Sequence, residues 1–308
     1  MTAFAIETKD LTFSFRYKNL VVNKVSLNVP QASIYGFLGP NGAGKTTTIR
    51  LLTGMLLSES DNIYIGGNSL RKNIPGIFHS IGALIETPSL YLHLTAVENL
   101  RIITTLRNLP ANKIEHVLST VGLTKAGKRK VKEYSLGMKQ RLGIAMALLP
   151  DPELLILDEP ANGLDPTGII EIRELIKELN AKQGKTIFVS SHLLNEVEKM
   201  CTHIGIIHKG KLHYQGSIEE MRQAVNASGE VIFRIHNAAE WIPKIQPVIA
   251  NVKSHSTHEL LFPFSGTEEV TQLNRELVKL NVPVSGIQVR GGIEEWFMGI
   301  TQKDKEIA

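Results

Sequence analysis

A short segment near the middle of the chain constrains the fold most. Four aliphatic residues, Leu154–Leu157, are followed at once by two carboxylates, Asp158 and Glu159. An uninterrupted apolar run of this length is typical of a strand buried on both faces of a parallel sheet. Burying two carboxylates without a positive partner would cost far too much free energy. The segment therefore predicts an α/β fold in which a positive group meets two acids at a strand end.

The composition is that of an ordinary globular protein. The 308 residues suffice for one large and one smaller domain, since 43% of them are apolar and 21% charged. A net charge of +4 fits a protein near phosphates or an anionic membrane face and does not call for nucleic acid. The single cysteine, Cys201, excludes a disulfide framework and indicates a reducing cytosol. We expect no signal peptide and no membrane span, because no run of 18 apolar residues occurs.

Hydrophobic periodicity divides the chain into two domains. Alternating segments near the start (FAIETKDLTFSF) indicate antiparallel strands, and a helical subdomain is expected at about residues 90–150. Apolar strands then alternate with helices, which predicts a parallel core sheet. We expect this first domain to span residues 1–225. Residues 226–308 form a predicted small α+β appendage, for which a dimer brace, a regulatory ligand site and a purely stabilising role remain open.

A glycine-rich segment between a predicted strand and a predicted helix matches the phosphate-binding pattern G-x-x-x-x-G-K-[ST]. Its glycines allow successive N–H groups to surround a phosphate, and the following helix adds its positive end. Lys45 would bind the β- and γ-phosphates, and the Thr46 hydroxyl would ligate Mg²⁺. A glycine-rich turn with a chance lysine is the alternative, which the flanking strand and helix disfavour. The loop residues are Gly39, Pro40, Asn41, Gly42, Ala43, Gly44, Lys45 and Thr46.

The two acids lie where this loop needs them. Ligands of parallel sheets bind beyond the carboxyl ends of the strands, and neighbouring strand residues point to opposite sides. Asp158 would therefore face Mg²⁺ through water, and Glu159 would polarise the attacking water as general base. Two surface acids at the start of a loop are the alternative. A second anion site is indicated at Ser135, a good N-cap, together with the amide of Gly137.

These motifs together resemble the nucleotide-binding subunit of ATP-binding-cassette (ABC) transporters. The phosphate loop, the signature segment from Tyr134, LLILDEP, ANGLDP and SSH occur in the family's order over about residues 4–217. The resemblance implies an ATPase that binds ATP and Mg²⁺, with two ATP molecules held between two copies of the chain arranged head to tail. It implies a homodimer that works with separate integral membrane permease subunits, at the cytoplasmic face of the membrane.

The resemblance also implies roles for single residues. Thr47 would join the loop in holding the nucleotide, and Ser135 and Gly137 would reach the γ-phosphate across the dimer. His192 matches the family's switch histidine, which contacts the γ-phosphate, and Asp165 falls in the D-loop that lines the seam. The family stacks adenine on an aromatic near the N-terminus. Phe15 is our choice and Tyr17 the alternative, although either could belong to the core.

Two departures from the family pattern stand out. The usual signature L-S-G-G-Q reads here Tyr134-Ser135-Leu136-Gly137-Met138, which keeps the serine and the second glycine. Glu86 replaces a glutamine that reaches the metal and water site and responds to the membrane partner. An ionised glutamate accepts hydrogen bonds but cannot donate them, and it adds negative charge near Mg²⁺. Outside the family context Glu86 would be interpreted as a surface loop residue.

The segment around Glu86 narrows the resemblance. IETP, LTAVENL and SLGMKQRLGIA resemble the bacitracin-resistance and lantibiotic self-immunity ABC ATPases, which implies export of an antimicrobial peptide. Export of a lipid or small drug is one alternative. A soluble ABC protein that acts on ribosomes or chromosomes is another, but tandem cassettes and long coiled coils are not visible. A nucleotide switch or small-molecule kinase would share only the phosphate loop, and the ordered motifs argue against it.

Overall fold

The computed structural model describes residues 4–15, 20–226, 229–264, 267–290 and 297. The chain divides into two compact units, Met1–Ser217 and Ile218–Ala308. The helix Ile218–Asn226 belongs to the second unit, whereas the predicted first domain, residues 1–225, contains nearly all of it. No helix of the described part of the chain is long and apolar enough to cross a membrane.

The strands of the described residues are β1 Phe4–Thr8, β2 Leu11–Ser14, β3 Leu20–Val25, β4 Asn28–Pro30, β5 Ile34–Leu38, β6 Ile63–Ile65, β7 Asn68–Ser69, β8 Ile81–Leu84, β9 Leu154–Asp158, β10 Thr186–Ser191, β11 His203–His208, β12 Lys211–Ser217, β13 Gly229–Ile235, β14 Lys253–Ser256, β15 Glu259–Phe264 and β16 Val284–Arg290. The α-helices are α1 Lys45–Leu52, α2 Ala96–Leu106, α3 Asn112–Thr120, α4 Leu136–Leu148, α5 Pro166–Gln183, α6 Leu194–Met200, α7 Ile218–Asn226, α8 Ala238–Ile245 and α9 Thr267–Lys279. Short 3₁₀ turns are Gly76–His79, Thr124–Ala126 and Val131–Glu133.

A six-stranded sheet forms the centre of the first unit, in the order β12-β11-β5-β10-β9-β8. Five of its strands are parallel, and only β12 runs antiparallel to its neighbour. Every residue of β5 and β9 is buried, because helices cover both faces of such a sheet. The parallel core predicted from LLIL is confirmed, and the carboxyl ends of β5, β9 and β10 meet at one edge.

The predicted antiparallel N-terminal strands and helical subdomain are also confirmed. One sheet has the order β4-β1-β6-β7, and β2 pairs with β3. The helices α2, α3 and α4 follow, and Thr95 and Glu98 form a capping box at the start of α2. A single hydrophobic core contains Ile6 of β1, Ile49 of α1 and Ile156 of β9. The antiparallel sheet, the first helix and the parallel sheet are therefore packed as one body, which fixes where α1 begins relative to the strand ends.

The second unit contains a four-stranded antiparallel sheet in the order β14-β15-β13-β16. The element order β-α-β-β-α-β with this strand order is the ferredoxin-like arrangement. Residues of β13, β15, α8 and α9 share a core that includes Phe233 and Phe262. The sequence pattern indicates α9 and three strand segments, one of which (NVKSHSTHELLFPF) covers both β14 and β15. It does not indicate α8, which carries Pro243 in its interior. Proline lacks the N–H group of a helical hydrogen bond, so this segment does not resemble a helix.

Candidate functional site

The phosphate loop connects the end of β5 to the start of α1. Gly42 and Gly44 have φ angles of 80° and 106°, a region that other residues rarely adopt. A Cβ at Gly44 would also lie 2.6 Å from the carbonyl oxygen of Val21. Among the described residues no side chain caps α1, and its first turn holds no acid. The unpaired N–H groups and the positive helix end are therefore suited to an anion.

Lys45 is the positive partner of one of the two acids, Glu159. It is buried, with 5% of the residue exposed. Its ammonium lies 3.1 Å from Glu159 Oε1. The same group donates hydrogen bonds to the carbonyl oxygens of Gly39 at 2.7 Å and Pro40 at 3.2 Å. The sequence predicts Mg²⁺ as the positive partner of the acids and does not indicate this pair. The structure brings the phosphate-loop lysine and the predicted general base into direct contact.

Asp158 is held by two hydroxyl groups. Thr46 Oγ1 donates to its Oδ2 at 2.8 Å, and Ser190 Oγ donates to its Oδ1 at 2.5 Å. Ser190 Oγ also accepts a hydrogen bond from the Glu159 N–H at 2.9 Å. The SSH segment marks the stretch that holds Ser190, but no local sequence pattern indicates its contacts with Asp158 and Glu159. The register of β9 and β10 places Ser190 beside Asp158.

Glu159 is the centre of the charged cluster. Its two carboxylate oxygens face different partners, Lys45 at Oε1 and His192 Nδ1 at 3.1 Å from Oε2. The backbone at Glu159 has a φ of 46°, and the left-handed region is unfavourable for a residue with a side chain. The turn is closed by the Asn162 N–H, which donates to the Glu159 carbonyl at 3.0 Å. Strain of this kind is often found at functional sites.

The oxygen donors of Thr46 and Asp158 suit a hard cation such as Mg²⁺. Among the described residues no group of three or more His, Cys, Asp or Glu side chains could hold a metal ion. Mg²⁺ commonly binds through one or two protein oxygens together with substrate phosphates and water. The residues present therefore fit a metal that arrives with a nucleotide, rather than one caged by the protein alone.

Glu86 lies at the same edge of the sheet, in the loop after β8. Its Oε1 is 2.5 Å from a guanidinium nitrogen of Arg50, which lies on α1. The glutamate side chain is 58% exposed and its backbone has a φ of 59°. The structure thus connects the loop after β8 directly to the helix that follows the phosphate loop. No sequence pattern indicates Arg50 as its partner.

The signature and D-loop residues begin two helices. Ser135 caps α4, as predicted, and accepts a hydrogen bond from the Met138 N–H at 3.3 Å. Asp165 caps α5 and accepts from the Gly168 N–H at 2.9 Å. Both side chains are exposed. A Cβ at Gly137 would lie 3.9 Å from Leu164 Cδ2, so the two helix starts are neighbours. These hydrogen bonds stay within each helix start and leave both residues accessible from solvent.

Phe15 is 47% exposed, and its ring packs edge-on against Phe13 with centroids 5.0 Å apart. An exposed ring supported by a second aromatic leaves one face available for stacking. Tyr17, the alternative, lies outside the described residues. Thr47 lies in the first turn of α1 and is partly buried. The other loop residues Pro40 and Asn41 lie between β5 and α1, and Ala43 is buried.

Comparison with known proteins places the chain in a family. The family model described as ABC transporter matches residues 22–162. The bacitracin transport ATP-binding protein BcrA of Bacillus licheniformis is 51% identical over 208 residues, 67% of this chain and 68% of BcrA. The lantibiotic transport ATP-binding protein SrtF of Streptococcus pyogenes is 44% identical, over 66% of this chain and 90% of SrtF.

A solved structure agrees with this result. The ADP conformation of MJ1267, an ATP-binding cassette of an ABC transporter, matches with a TM-score of 0.64 at 25% identity. The match covers 72% of this chain and 94% of MJ1267. The chain belongs to the ABC transporter ATP-binding proteins. It is an ABC ATPase, and the class that its ordered motifs resemble is confirmed.

Proposed function

We propose that this ATPase drives export of an antimicrobial peptide and that its hydrolysis is carried out by the cluster around Glu159. The proposed site is supported by one observation. Four side chains meet at the carboxyl edge of β5, β9 and β10, those of Lys45, Asp158, Glu159 and His192. The cargo class is supported by the similarity to proteins named for bacitracin and lantibiotic transport. A lipid or a small drug is the alternative cargo.

The ammonium of Lys45 can bind either Glu159 or the phosphates of a nucleotide. Without a phosphate it is satisfied by Glu159 and by the Gly39 and Pro40 carbonyls. A triphosphate in the loop would offer stronger, doubly charged acceptors to the same ammonium. Lys45 would then turn from Glu159 to the phosphates, which frees a carboxylate oxygen to accept a proton from water. His192, on the other oxygen, would keep that carboxylate oriented and contact the γ-phosphate.

The metal site would consist of Thr46 and Asp158. A Mg²⁺ bound there with the nucleotide would neutralise part of the negative charge of the phosphates. Asp158 is oriented by hydroxyl donors on both oxygens, so its carboxylate plane is set before any ligand arrives. Glu86 pairs with Arg50 on α1. Through this contact it would couple the occupancy of the nucleotide site to the membrane partner.

A second copy of the chain would complete each nucleotide site. Ser135 and Asp165 are exposed at the starts of α4 and α5, and Gly137 lies beside them. The Ser135 hydroxyl accepts from the Met138 N–H, and its own proton can still be donated to a γ-phosphate. We infer a head-to-tail homodimer with ATP at the seam and adenine stacked on Phe15. The dimer would bind separate permease subunits at the cytoplasmic face of the membrane.

The C-terminal segment, residues 226–308 in the predicted division, is proposed to be an accessory domain with a stabilising role. The described buried side chains of the second unit are apolar, from Ile218 to Val282. A unit with its own hydrophobic core of this kind does not need the first unit to bury its apolar surface.

The experiment is the substitution Glu159→Gln in the whole chain. Loss of a general base lowers turnover by about 100- to 10,000-fold, so hydrolysis should nearly stop while ATP binding persists and a closed dimer accumulates. Glu153→Gln is the matched control, because Glu153 is an exposed glutamate just before the other end of the same strand. A wild-type rate in Glu159→Gln would refute the role of Glu159.

The export proposal has a separate test. Pull-down of the chain from its host membranes should recover hydrophobic multi-spanning subunits, and deletion should sensitise the cells to a cell-wall-directed peptide. Recovery of ribosomes or chromosomal proteins without such subunits would contradict it.

A further inference from the structure

One buried hydroxyl group contacts both acids of the site. Ser190 is fully buried in β10, with 0% of the residue exposed. Its Oγ donates to Asp158 Oδ1 at 2.5 Å and accepts from the Glu159 N–H at 2.9 Å. A hydroxyl has one donor and two acceptor positions, so both bonds can form at once. The same oxygen is therefore bonded to the metal-facing residue and to the backbone of the general base.

The position of Ser190 follows from strand pairing. The parallel register of β10 and β9 ends with Ser190 beside Asp158. Beyond this point the backbone at Glu159 lies in the left-handed region, with a φ of 46°, and its N–H group donates to the Ser190 side chain. The Ser190 side chain takes the place of the missing backbone acceptor. The turn that aims the Glu159 side chain is thus stabilised by a side chain from the neighbouring strand.

The second bond of Ser190 orients a carboxylate. With Thr46 on Oδ2 and Ser190 on Oδ1, both oxygens of Asp158 are held and rotation of the carboxylate is prevented. Hydrogen-bond partners of this kind orient the groups that bind metals and tune their affinity. Loss of Ser190 would release one oxygen of Asp158 and leave the Glu159 N–H without its acceptor.

We propose that Ser190 is a positioning residue that fixes the metal carboxylate of Asp158 and the general base Glu159 in one shared geometry. This inference rests on the proposed function, because it gives both acids their roles in hydrolysis. The rival explanation is that Ser190 only satisfies buried polar groups and matters for stability alone. The two explanations differ in what happens to turnover in protein that is still folded.

The test compares Ser190→Ala with Ser33→Ala. Ser33 is also buried, and its hydroxyl donates to the Pro30 carbonyl at 2.6 Å, just before β5 begins. Both changes delete one buried hydroxyl and should lower the melting temperature. Only Ser190→Ala should reduce kcat, by about 10- to 100-fold, and raise the Mg²⁺ concentration for half-maximal activity. Its affinity for ATP measured without Mg²⁺ should stay within about twofold, since the loop contacts of Lys45 are intact.

Two further readouts complete the test. Hydrogen exchange at the Glu159 amide should accelerate in Ser190→Ala in the nucleotide-free protein, where no metal or catalysis is involved. Ser190→Thr keeps a hydroxyl and should recover most of kcat if it folds. A Ser190→Ala protein with normal kcat and normal Mg²⁺ dependence would overturn the proposal, even if it were less stable. Glu159→Gln separates this proposal from the proposed function. A wild-type rate in Glu159→Gln refutes the role of Glu159 as general base. A wild-type rate in Ser190→Ala alone refutes only the role of Ser190 in positioning the two acids.

Discussion

The two ends of the parallel sheet each bury a lysine, and the two lysines differ in their neighbours rather than in their burial. Lys45, at the carboxyl end, is 5% exposed, and Lys185, at the amino end, is 6% exposed. The Lys185 ammonium donates to Asp151 at 2.7 Å and to the Pro152 carbonyl at 2.8 Å. Each lysine therefore has an acid and at least one carbonyl oxygen as partners.

The difference lies in what surrounds each pair. The acid partner of Lys185 is 72% exposed, and the pair joins two segments that precede β9 and β10. The acid partner of Lys45 is Glu159, which also contacts His192 and lies beside the Thr46–Asp158 pair. Lys45, unlike Lys185, follows a glycine-rich turn and lies at the start of a helix that no described side chain caps. Burial of a charge alone therefore does not indicate a binding site, and the proposed site at Lys45 is supported by its connected cluster at a helix start.

Lys45→Met should have the largest effect on nucleotide affinity among these positions. Hydrogen bonds to charged groups are worth roughly 1.5–3 kcal/mol, so ATP should bind about 10- to 100-fold more weakly. Lys185→Met, the matched control, should leave the affinity within about twofold, because distant sites act independently. Titration with a fluorescent ATP analogue measures both. Equal losses of ATP affinity in the two variants would contradict the difference drawn between Lys45 and Lys185.

Lys185→Met should instead reduce stability. The Pro152 carbonyl would remain buried without its donor, which costs roughly 1–3 kcal/mol in the free energy of unfolding. Lys182→Met serves as the control, because Lys182 is exposed and its pair with Glu178 is worth little. Urea denaturation followed by circular dichroism gives both values. If the midpoint for Lys185→Met equals that of the wild type, the amino-end lysine is not structural.

The pH dependence of stability should reveal the Lys185–Asp151 pair. The Lys185 ammonium holds the pKa of Asp151 below its ordinary value. A lowered pKa contributes stability above the unfolded-state value of about 3.9, and this contribution is lost as the pH falls through the folded-state pKa. Because Asp151 is mostly exposed, the effect should be below about 1 kcal/mol.

Asp151→Asn isolates this contribution, and asparagine tolerates the left-handed backbone of this position, where φ is 60°. The melting temperatures of the wild type and the variant should differ at neutral pH and converge in acid. A difference that grows as the pH falls would contradict the sign of this assignment.

Glu86→Ala should have a smaller effect on nucleotide affinity than Lys45→Met. Its pair with Arg50 is open to solvent, because the two side chains are 58% and 36% exposed, and such pairs contribute at most about 1 kcal/mol. We expect ATP affinity to change by less than about fivefold, while hydrolysis coupled to the membrane subunits falls further. Affinity of the isolated chain and transport by the assembled complex are the two measurements. A parallel drop in both would place Glu86 with Lys45 as a phosphate-binding residue.

The sequence predicted the local parts of the fold well. The buried strand β9, the glycine-rich turn before Lys45 and the cap at Ser135 are each encoded by a few consecutive residues. The order of strands in a sheet is decided by packing between distant segments, and no local pattern states that β10 lies between β5 and β9. The role of Ser190 could not be predicted for this reason, since it depends on that adjacency and on the register.

The contacts of charged side chains were also beyond the sequence. Lys45 and Glu159 were both identified as site residues, yet their direct pairing depends on how α1 packs against β9. The same holds for Arg50 and Glu86, which are brought together by the loop after β8. The helix α8 was missed because Pro243 disfavours a helix locally, and packing in the core of the second unit outweighs that preference.

A structure with a non-hydrolysable ATP analogue and Mg²⁺ tests the central claim most directly. The γ-phosphate should lie within hydrogen-bonding distance of Lys45, next to Glu159, with the metal between the phosphates and the Thr46–Asp158 pair. The Lys45–Glu159 contact seen here should be broken in that state. A γ-phosphate bound far from both Lys45 and Glu159 would contradict the account.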